Sequence, residues 1–162
     1  MKSPIARIRF WLVVIIVGLV LSGVTAFPLM HELNLLCKWL VGVDASWNPE
    51  DHTGLAHWIL FVREGLEVTY QKYPFIAYGT DWLAFGHLVI ALFFLPAYKD
   101  PVRYLGNIHM GMVACFGVFA LALICGPIRG IPFYWQLIDC SFGAFALYPL
   151  WRIVKLSREI PA

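Results

Sequence analysis

Four long runs of the sequence contain almost no charged side chains, and this feature constrains the fold more than any other. They cover residues 10–30, 82–98, 108–128 and 131–151, and Asp139 is the one charged residue inside them. Each run is long enough, or nearly so, to cross about 30 Å of hydrocarbon at about 1.5 Å per helical residue. With 60 % hydrophobic and 14 % charged residues, the chain is too apolar for an ordinary soluble domain. The sequence therefore predicts an all-α membrane protein, a bundle of four transmembrane helices.

The charges between these runs predict how the chain is oriented. One set of flanking segments is mostly basic, with Lys2, Arg7, Arg9, Lys99, Arg103, Arg152, Lys155 and Arg158 against Asp100 and Glu159. The opposite segments are mostly acidic, with Glu32, Asp44, Glu50, Asp51, Glu64, Glu67 and Asp81 against Lys38, Arg63, Lys72 and Arg129. Basic segments stay in the cytoplasm, so we expect both termini there.

The amino-terminal run also permits a second interpretation, as a secretory signal. Basic residues precede a short apolar stretch that ends in Val24-Thr25-Ala26, and small residues of this kind suit signal cleavage. Cleavage after residue 26 would leave three spans with the same orientation.

We expect one integral membrane domain over residues 1–162, with an irregular outer connection from His31 to Thr80. Apolar residues recur with helical period from Leu55 to Tyr70, while Glu64 and Glu67 fall elsewhere. This pattern predicts an amphipathic helix at about residues 54–72, too short in its apolar part to span, which lies in the membrane interface. The preceding HELNLLCKWLVG predicts a short helix that closes at Gly42. Asp81, at the outer end of the second span, is expected to be a helix N-cap.

The last two spans are predicted to form an antiparallel hairpin. Gly126-Pro127 is typical of a helix stop, and Gly130-Ile131-Pro132 of a helix start. The third span carries small residues near one face, which allow a neighbouring backbone to approach closely. They are Gly111, Cys115, Val118, Ala122 and Gly126. We interpret this stripe as a packing surface.

The strongest candidates for function are the ionisable residues inside the spans. Gln136 and Asp139 share one face of the fourth span, and His87 on the second span reaches a similar depth in the outer leaflet by the helical rise. A buried carboxylate in hydrocarbon needs a partner or a proton, and such groups are often functional. His87 and then Arg129 are the expected partners of Asp139. The opposite interpretation, that the polar pair only holds the helices together, has comparable support.

We therefore expect a cavity open to the outer leaflet, in which a lipophilic ligand of the lipid, quinone or isoprenoid class is bound. Its predicted lining is His87, Gln136, Asp139, Trp82, Trp135 and Arg129. The sequence does not decide whether the protein is an enzyme, and any cofactor is unknown. If it is catalytic, Asp139 is the candidate proton acceptor and His87 the candidate general acid. The alternative function is a non-catalytic subunit or assembly factor of a larger membrane complex.

Other classes of site have little support in the sequence. The histidines lack the spacing of a metal site, and no basic run is interleaved with aromatic residues as nucleic-acid binding would need. The expected partners are membrane lipids and another membrane protein. Cys37 and Cys125 both map to the outer side, and a disulfide between them is one possibility there.

The segments YPFIAYGTDWLAFGH and GPIRGIPFYWQLIDCSFG, with KDPVRY between them, resemble a family of uncharacterised small bacterial inner-membrane proteins. The resemblance covers residues 54–151 and implies a bacterial inner membrane. It implies no activity.

Overall fold

The computed structural model describes residues 3–160, and over this range it contains helices and turns but no strand. The all-α prediction is therefore confirmed. Lys2, one of the basic residues that predict the orientation, lies outside the described residues. The helices are α1 (Pro4–Ala26), α2 (Leu29–Val41), α3 (Gly54–Lys72), α4 (Ala77–Phe93), α5 (Leu95–Lys99), α6 (Leu105–Ile128) and α7 (Phe133–Ser157), with 3-10 turns at Pro49–Asp51 and Pro74–Ile76.

Four helical segments are long and apolar enough to cross a membrane, as the sequence predicts. They are Pro4–Ala26, Pro74–Lys99, Leu105–Ile128 and Phe133–Ser157. Only 17–22 % of the residues in the most apolar window of each segment are buried inside the protein. A soluble protein rarely leaves so much contiguous apolar surface exposed. These four segments have the character of a multi-pass membrane protein.

Several helix boundaries differ from the prediction, and proline accounts for two of them, the end of α1 and the beginning of α4. The first span was expected to run to Met30, but α1 ends at Ala26 and a new helix begins at Leu29, because Pro28 cannot donate the hydrogen bond that would continue α1. Asp81 was expected to be an N-cap, and this is wrong. Pro74 opens a 3-10 turn that leads directly into α4 at Ala77, so Asp81 lies inside the helix.

The chain divides into two compact units, which we describe separately. Unit 1 comprises the chain up to Leu19 and again from Val89 onwards, and unit 2 comprises Val20–Leu88. Helices α1 and α4 each contribute to both units. The single domain over residues 1–162 stays a prediction.

The core of unit 1 joins parts of all four spanning segments. Its buried side chains come from the beginning of α1, the region around α5, the first half of α6 and the end of α7: Ile8, Leu12, Ile15, Phe94, Ala97, Ile108, Cys115, Leu150, Ile153 and Leu156. Ile8, Leu12 and Ile15 follow one face of α1 at helical spacing. In unit 1, therefore, the spans pack as a helical bundle.

Two arginine side chains at the beginning of α1 bond to other segments of unit 1. Arg9 donates from Nε to the carbonyl of Tyr98 at 3.1 Å and from Nη2 to that of Lys99 at 3.2 Å, so its charge caps the carboxyl end of α5. Arg7 pairs with Glu159 at 3.7 Å. This pair brings the first turn of α1 and the residues after α7 to the same end of unit 1.

Helices α6 and α7 form the predicted antiparallel hairpin, and the small residues of α6 face α7. A Cβ on Gly126 would lie 2.7 Å from Cγ of Gln136, and one on Gly111 would lie 3.3 Å from Leu150 and 2.8 Å from Phe94. Cys115 and Ala122 on the same stripe are buried. The interpretation of this stripe as a packing surface is confirmed.

Unit 2 contains a folded cap, which we define as α2, α3 and the connection between them. Helix α2 ends at Val41 and is capped by Gly42, which has a φ of 96°, as predicted for a glycine that closes a helix. Helix α3 begins at Gly54 and ends at Lys72, the bounds expected for the amphipathic helix. Its location in the membrane interface stays a prediction.

The centre of the cap is Arg63. Its Nε donates to Oδ1 of Asn34 at 2.6 Å, its Nη1 lies 2.9 Å from Oε2 of Glu67, and its guanidinium lies 4.9 Å from the ring centroid of Trp47. The indole of Trp47 in turn donates to the carbonyl of Gly42 at 3.1 Å. One side chain thus ties α2, α3 and the connecting loop together.

Candidate functional site

The turn between α6 and α7 determines where the polar face of α7 begins. Gly130 has a φ of 69°, the N–H of Ile131 donates to the carbonyl of Gly126, and the N–H of Gly130 donates to that of Pro127. This is the Schellman arrangement that ends a helix at a glycine. Helix α6 therefore continues through Gly126-Pro127 to Ile128, slightly beyond the stop that these two residues suggest.

Gln136 is buried at the hairpin, with 4 % of its surface exposed. Its Nε2 donates to the carbonyl of Ile131 at 2.8 Å, and its aliphatic part occupies the space above Gly126. The side-chain amide therefore satisfies a carbonyl at the turn, where helix α6 has just ended and α7 has not begun. This hydrogen bond accounts for the polar residue at this place in the span without invoking a ligand. The predicted ligand-binding role of Gln136 stays a prediction.

Asp139 lies one helical turn further along α7, between the close contacts at Gln136 and Gly143. A Cβ on Gly143 would lie 2.9 Å from the main-chain oxygen of Cys115, so α6 and α7 are in backbone contact there. Asp139 itself is partly buried. Within residues 3–160 its carboxylate makes neither a hydrogen bond nor an ion pair. The pairing with Arg129 considered from the sequence is not formed, since Arg129 is exposed at the end of α6 and its side chain has no ionic partner in the described chain.

His87 lies on α4 in unit 2 and is also partly buried. Its Nδ1 lies 2.8 Å from the carbonyl oxygen of Leu83, one turn earlier. Because a carbonyl can only accept, Nδ1 must carry the proton. In the neutral ring, Nε2 is then an acceptor, and it has no hydrogen-bond partner among the described residues.

The predicted lining residues fall into two groups. Gln136, Asp139, Trp135 and Arg129 lie on the hairpin of unit 1, and His87 and Trp82 lie on α4 of unit 2. Trp135 is partly buried, whereas Trp82 is 58 % exposed in an aromatic row with Tyr78 and Phe85. The shared cavity of the two groups stays a prediction.

The structure adds a polar groove in unit 2 that the sequence analysis does not identify. It has a volume of about 220 Å³ and is lined by residues 27–31 together with Tyr70, Ala77, Thr80 and Asp81. The sequence signal for it is the pair Thr80-Asp81 in the first turns of a span, a position that is also typical of a helix cap.

The remaining histidines and cysteines show no assembled metal centre. In the described part of the chain, no three His, Cys, Asp or Glu side chains converge as metal ligands. His52 and His57 instead contact the carbonyls of Ser46 and Pro49, at 2.7 and 2.9 Å. All four cysteines are free thiols, so the structure contains no disulfide between Cys37 and Cys125.

Comparisons of the chain with protein-family models, with curated proteins and with solved structures found no match.

Proposed function

We propose that this multi-pass membrane protein binds a lipophilic molecule with a polar head, of the lipid, quinone or isoprenoid class, in the outer leaflet of a bacterial inner membrane. The head-group contact that we propose is Asp139 in unit 1, and His87 in unit 2 is a separate candidate contact. The observation that carries the proposal is the partly buried carboxylate of Asp139, which has no partner among residues 3–160.

Leaving Asp139 unpaired in a span is energetically unfavourable. An Asp at the centre of a transmembrane helix costs about 2.5–3.5 kcal/mol on the insertion scale, and this is an upper value for Asp139, which lies in the second turn of α7. The polar side chains of Gln136 and Ser141, near Asp139 on α7, already donate hydrogen bonds to the carbonyls of Ile131 and Ile138. A ligand that hydrogen-bonds Asp139 would offset that cost, and the exposed apolar surface of the spans would accept the hydrocarbon part of the same ligand.

His87 narrows the chemistry of the head group. With Nδ1 donating to Leu83, the neutral ring offers only the acceptor Nε2, so the matching ligand group is a hydroxyl or another donor. A hydroxyl can donate to an acceptor such as Nε2 of His87, and it can accept from a protonated carboxyl such as that of Asp139. Quinols, isoprenols and lipid alcohols carry such a group.

The same geometry bears on the catalytic roles expected from the sequence. Neutral His87 accepts a proton at Nε2, so it acts as a general acid only after protonation to imidazolium. Asp139 as proton acceptor needs its ionised form. We infer binding as the primary function, with proton transfer between a bound ligand and either of these groups as its catalytic extension.

The proposed orientation places both termini in the cytoplasm. The ion pair between Arg7 and Glu159 brings both ends of the described chain to one end of unit 1, together with Arg9 and Lys99. A concentration of basic residues at one membrane face is typical of the cytoplasmic side. Cysteine-scanning accessibility in intact cells would test the orientation independently of any ligand.

Native mass spectrometry of the gently solubilised protein, with an absorption spectrum of the same sample, tests ligand binding. We expect the parent protein to carry a small lipophilic molecule that Asp139→Asn and His87→Ala each lose. Glu64→Gln, which removes a charge from an exposed position of α3, should retain it. An unchanged ligand mass and occupancy in Asp139→Asn, with the variant folded, would contradict the proposal.

One specific observation supports the alternative function, a subunit or assembly factor. Tyr78, Trp82 and Phe85 form an exposed row on α4 with neighbouring ring centroids 6.0 Å apart, and large aromatic residues are common at the centres of protein interfaces. A protein that co-purifies with the parent, persists in Asp139→Asn and His87→Ala, and is lost in Trp82→Ala would favour this alternative.

A further inference from the structure

We propose a second site, separate from the one above: the groove of unit 2 binds a primary ammonium group carried by an apolar molecule, such as the head group of an aminophospholipid. The groove lies beside the point where α1 ends and α4 begins. It is lined by the apolar segment 27–30 and by Tyr70, Thr80 and Asp81.

The hydrogen-bond directions at the groove can be worked out from the contacts. The hydroxyl of Thr80 donates to the carbonyl of Ala77 at 2.6 Å. Thr80 has then used its only proton, so at the 3.2 Å contact between the two hydroxyls it is Tyr70 that donates. Tyr70 has in turn used its own proton. The two hydroxyl groups therefore offer a ligand only oxygen lone pairs, which accept hydrogen bonds.

Asp81 adds negative charge to the same groove. Its side chain is partly buried, and its carboxylate has no hydrogen bond or ion pair with any residue between Ser3 and Ile160. An ionised carboxylate is also acceptor-only. Tyr70, Thr80 and Asp81 together therefore favour a ligand that is positively charged and rich in N–H donors. His31 adds a ring nitrogen that donates or accepts according to its tautomer.

The apolar wall and the position of the groove indicate that the ammonium group is attached to a lipid. Phe27, Pro28, Leu29 and Met30 line one side, directly after the end of the spanning helix α1. In unit 2 the spans are in close contact below the groove, because a Cβ on Gly23 would lie 2.9 Å from the carbonyl oxygen of Ala84. A groove at the emerging ends of two spans lies at head-group depth.

The size of the groove sets an upper limit on the ligand part that it encloses. Its volume of about 220 Å³ is smaller than the roughly 300–1,000 Å³ of pockets that enclose drug-sized ligands. It suits a small head group whose acyl chains remain in the bilayer. An ethanolamine head group fits within this volume and offers three N–H donors.

Lipid exchange in nanodiscs, read by native mass spectrometry, tests the proposal. The probes are phosphatidylethanolamine and its mono-, di- and trimethylated forms, which keep the positive charge while the N–H donors decrease from three to none. We expect retention to fall stepwise along this series, with at least tenfold weaker retention of the trimethylated lipid. Equal retention of all four lipids would overturn the proposal.

Three variants separate the groove from general lipid binding. Asp81→Asn removes the charge at nearly constant shape and should reduce phosphatidylethanolamine retention at least tenfold. Tyr70→Phe removes one acceptor and should reduce it several-fold, which keeps the proposal testable if Asp81→Asn folds poorly. Glu64→Gln removes a charge from the same unit outside the groove and should have no effect. Full retention in folded Asp81→Asn and Tyr70→Phe would contradict the assignment.

Free ethanolamine distinguishes the two sources of the ammonium group. Displacement of the bound lipid by millimolar ethanolamine would show that the groove takes water-soluble amines as well. Failure of ethanolamine to displace it, with the methylation series as expected, would assign the site to the lipid. Because Asp139→Asn and His87→Ala leave this groove intact, loss of the first site and loss of this one are measured separately.

Discussion

Gly143 of α7 and the main-chain oxygen of Cys115 of α6 lie so close that a Cβ on the glycine would be 2.9 Å from that oxygen. The contact involves backbone on both sides, so no side-chain rotation can relieve an added methyl group. Gly126 and Gln136 make a second close contact near the turn. These two contacts determine how tightly the hairpin that carries Asp139 is packed.

Gly143→Ala should therefore destabilise the hairpin, by about 1–3 kcal/mol as for other overpacked positions. Thermal unfolding of the purified protein in detergent measures the effect. Gly117→Ala is the matched control, because a Cβ there meets nothing within 4 Å and alanine favours a helix. An equal melting temperature for the two variants would mean that α6 and α7 are not in backbone contact.

Arg63→Ala should loosen the cap of unit 2, because it removes the contacts to Asn34, Glu67 and Trp47 at once. Loss of hydrogen bonds to a charged group of this kind costs about 1.5–3 kcal/mol. Arg63→Lys retains the charge but lacks the planar fork, so it should recover only part of the stability. Limited proteolysis within residues 42–53 is the measurement. Cleavage of Arg63→Ala at the parental rate would contradict the central role of this side chain.

The stability of the same cap should fall in alkaline solution because of Cys37. Burial raises the pKa of this thiol, and the nearby charge of Arg63 lowers it by a smaller amount. The pKa of Cys37 is therefore higher in the folded cap than the value of about 8.5 in the unfolded chain. The contribution of the protonated thiol to the stability of the cap is complete below about pH 8.5, and it is lost as pH rises through the folded-state pKa. Proteolysis of the cap at pH 8 and pH 10 measures this change.

Cys37→Ala provides the comparison for the pH experiment. It lacks the titrating group, so its cap should lose less resistance to proteolysis between pH 8 and pH 10 than the parent cap, whatever its stability at pH 8. An equally large loss in both proteins would assign the alkaline effect to other groups.

Leu12→Ala should destabilise unit 1, because Leu12 has no exposed surface and lies in the core that joins the four spans. Leucine-to-alanine changes in cores cost about 2–5 kcal/mol. Val13→Ala is the control, since Val13 is 42 % exposed on the lipid side of the same helix turn. The melting temperature in detergent should fall for Leu12→Ala and change little for Val13→Ala.

The same core bears on the possible secretory signal. Cleavage after Ala26 would remove Ile8, Leu12 and Ile15 from unit 1, so we expect the protein extracted from membranes to retain this segment. Its intact mass decides between the two interpretations.

The sequence by itself determined the features that depend on neighbouring residues or on the solvent. Runs of apolar residues specify spanning helices wherever they occur, because lipid requires every backbone group to be bonded within the helix. Gly42 closes α2 as predicted, since its positive φ angle favours glycine over residues with a Cβ. Gly130 was expected at the start of the next helix, and it instead closes α6 for the same reason. The small residues of α6 indicated the surface that α7 covers.

Only the tertiary structure decided which polar groups are paired. Gln136 and Asp139 look equivalent on a helical wheel, yet one bonds the carbonyl of Ile131 and the other has no partner in the described chain. Asp81 looked like a helix cap, but Pro74 opens a turn from which α4 starts at Ala77, four residues earlier. Arg63 and Asn34 are 29 residues apart. Hydrophobic periodicity specifies which face of a helix is buried but not which side chain it meets, because that depends on how helices distant in the sequence pack together.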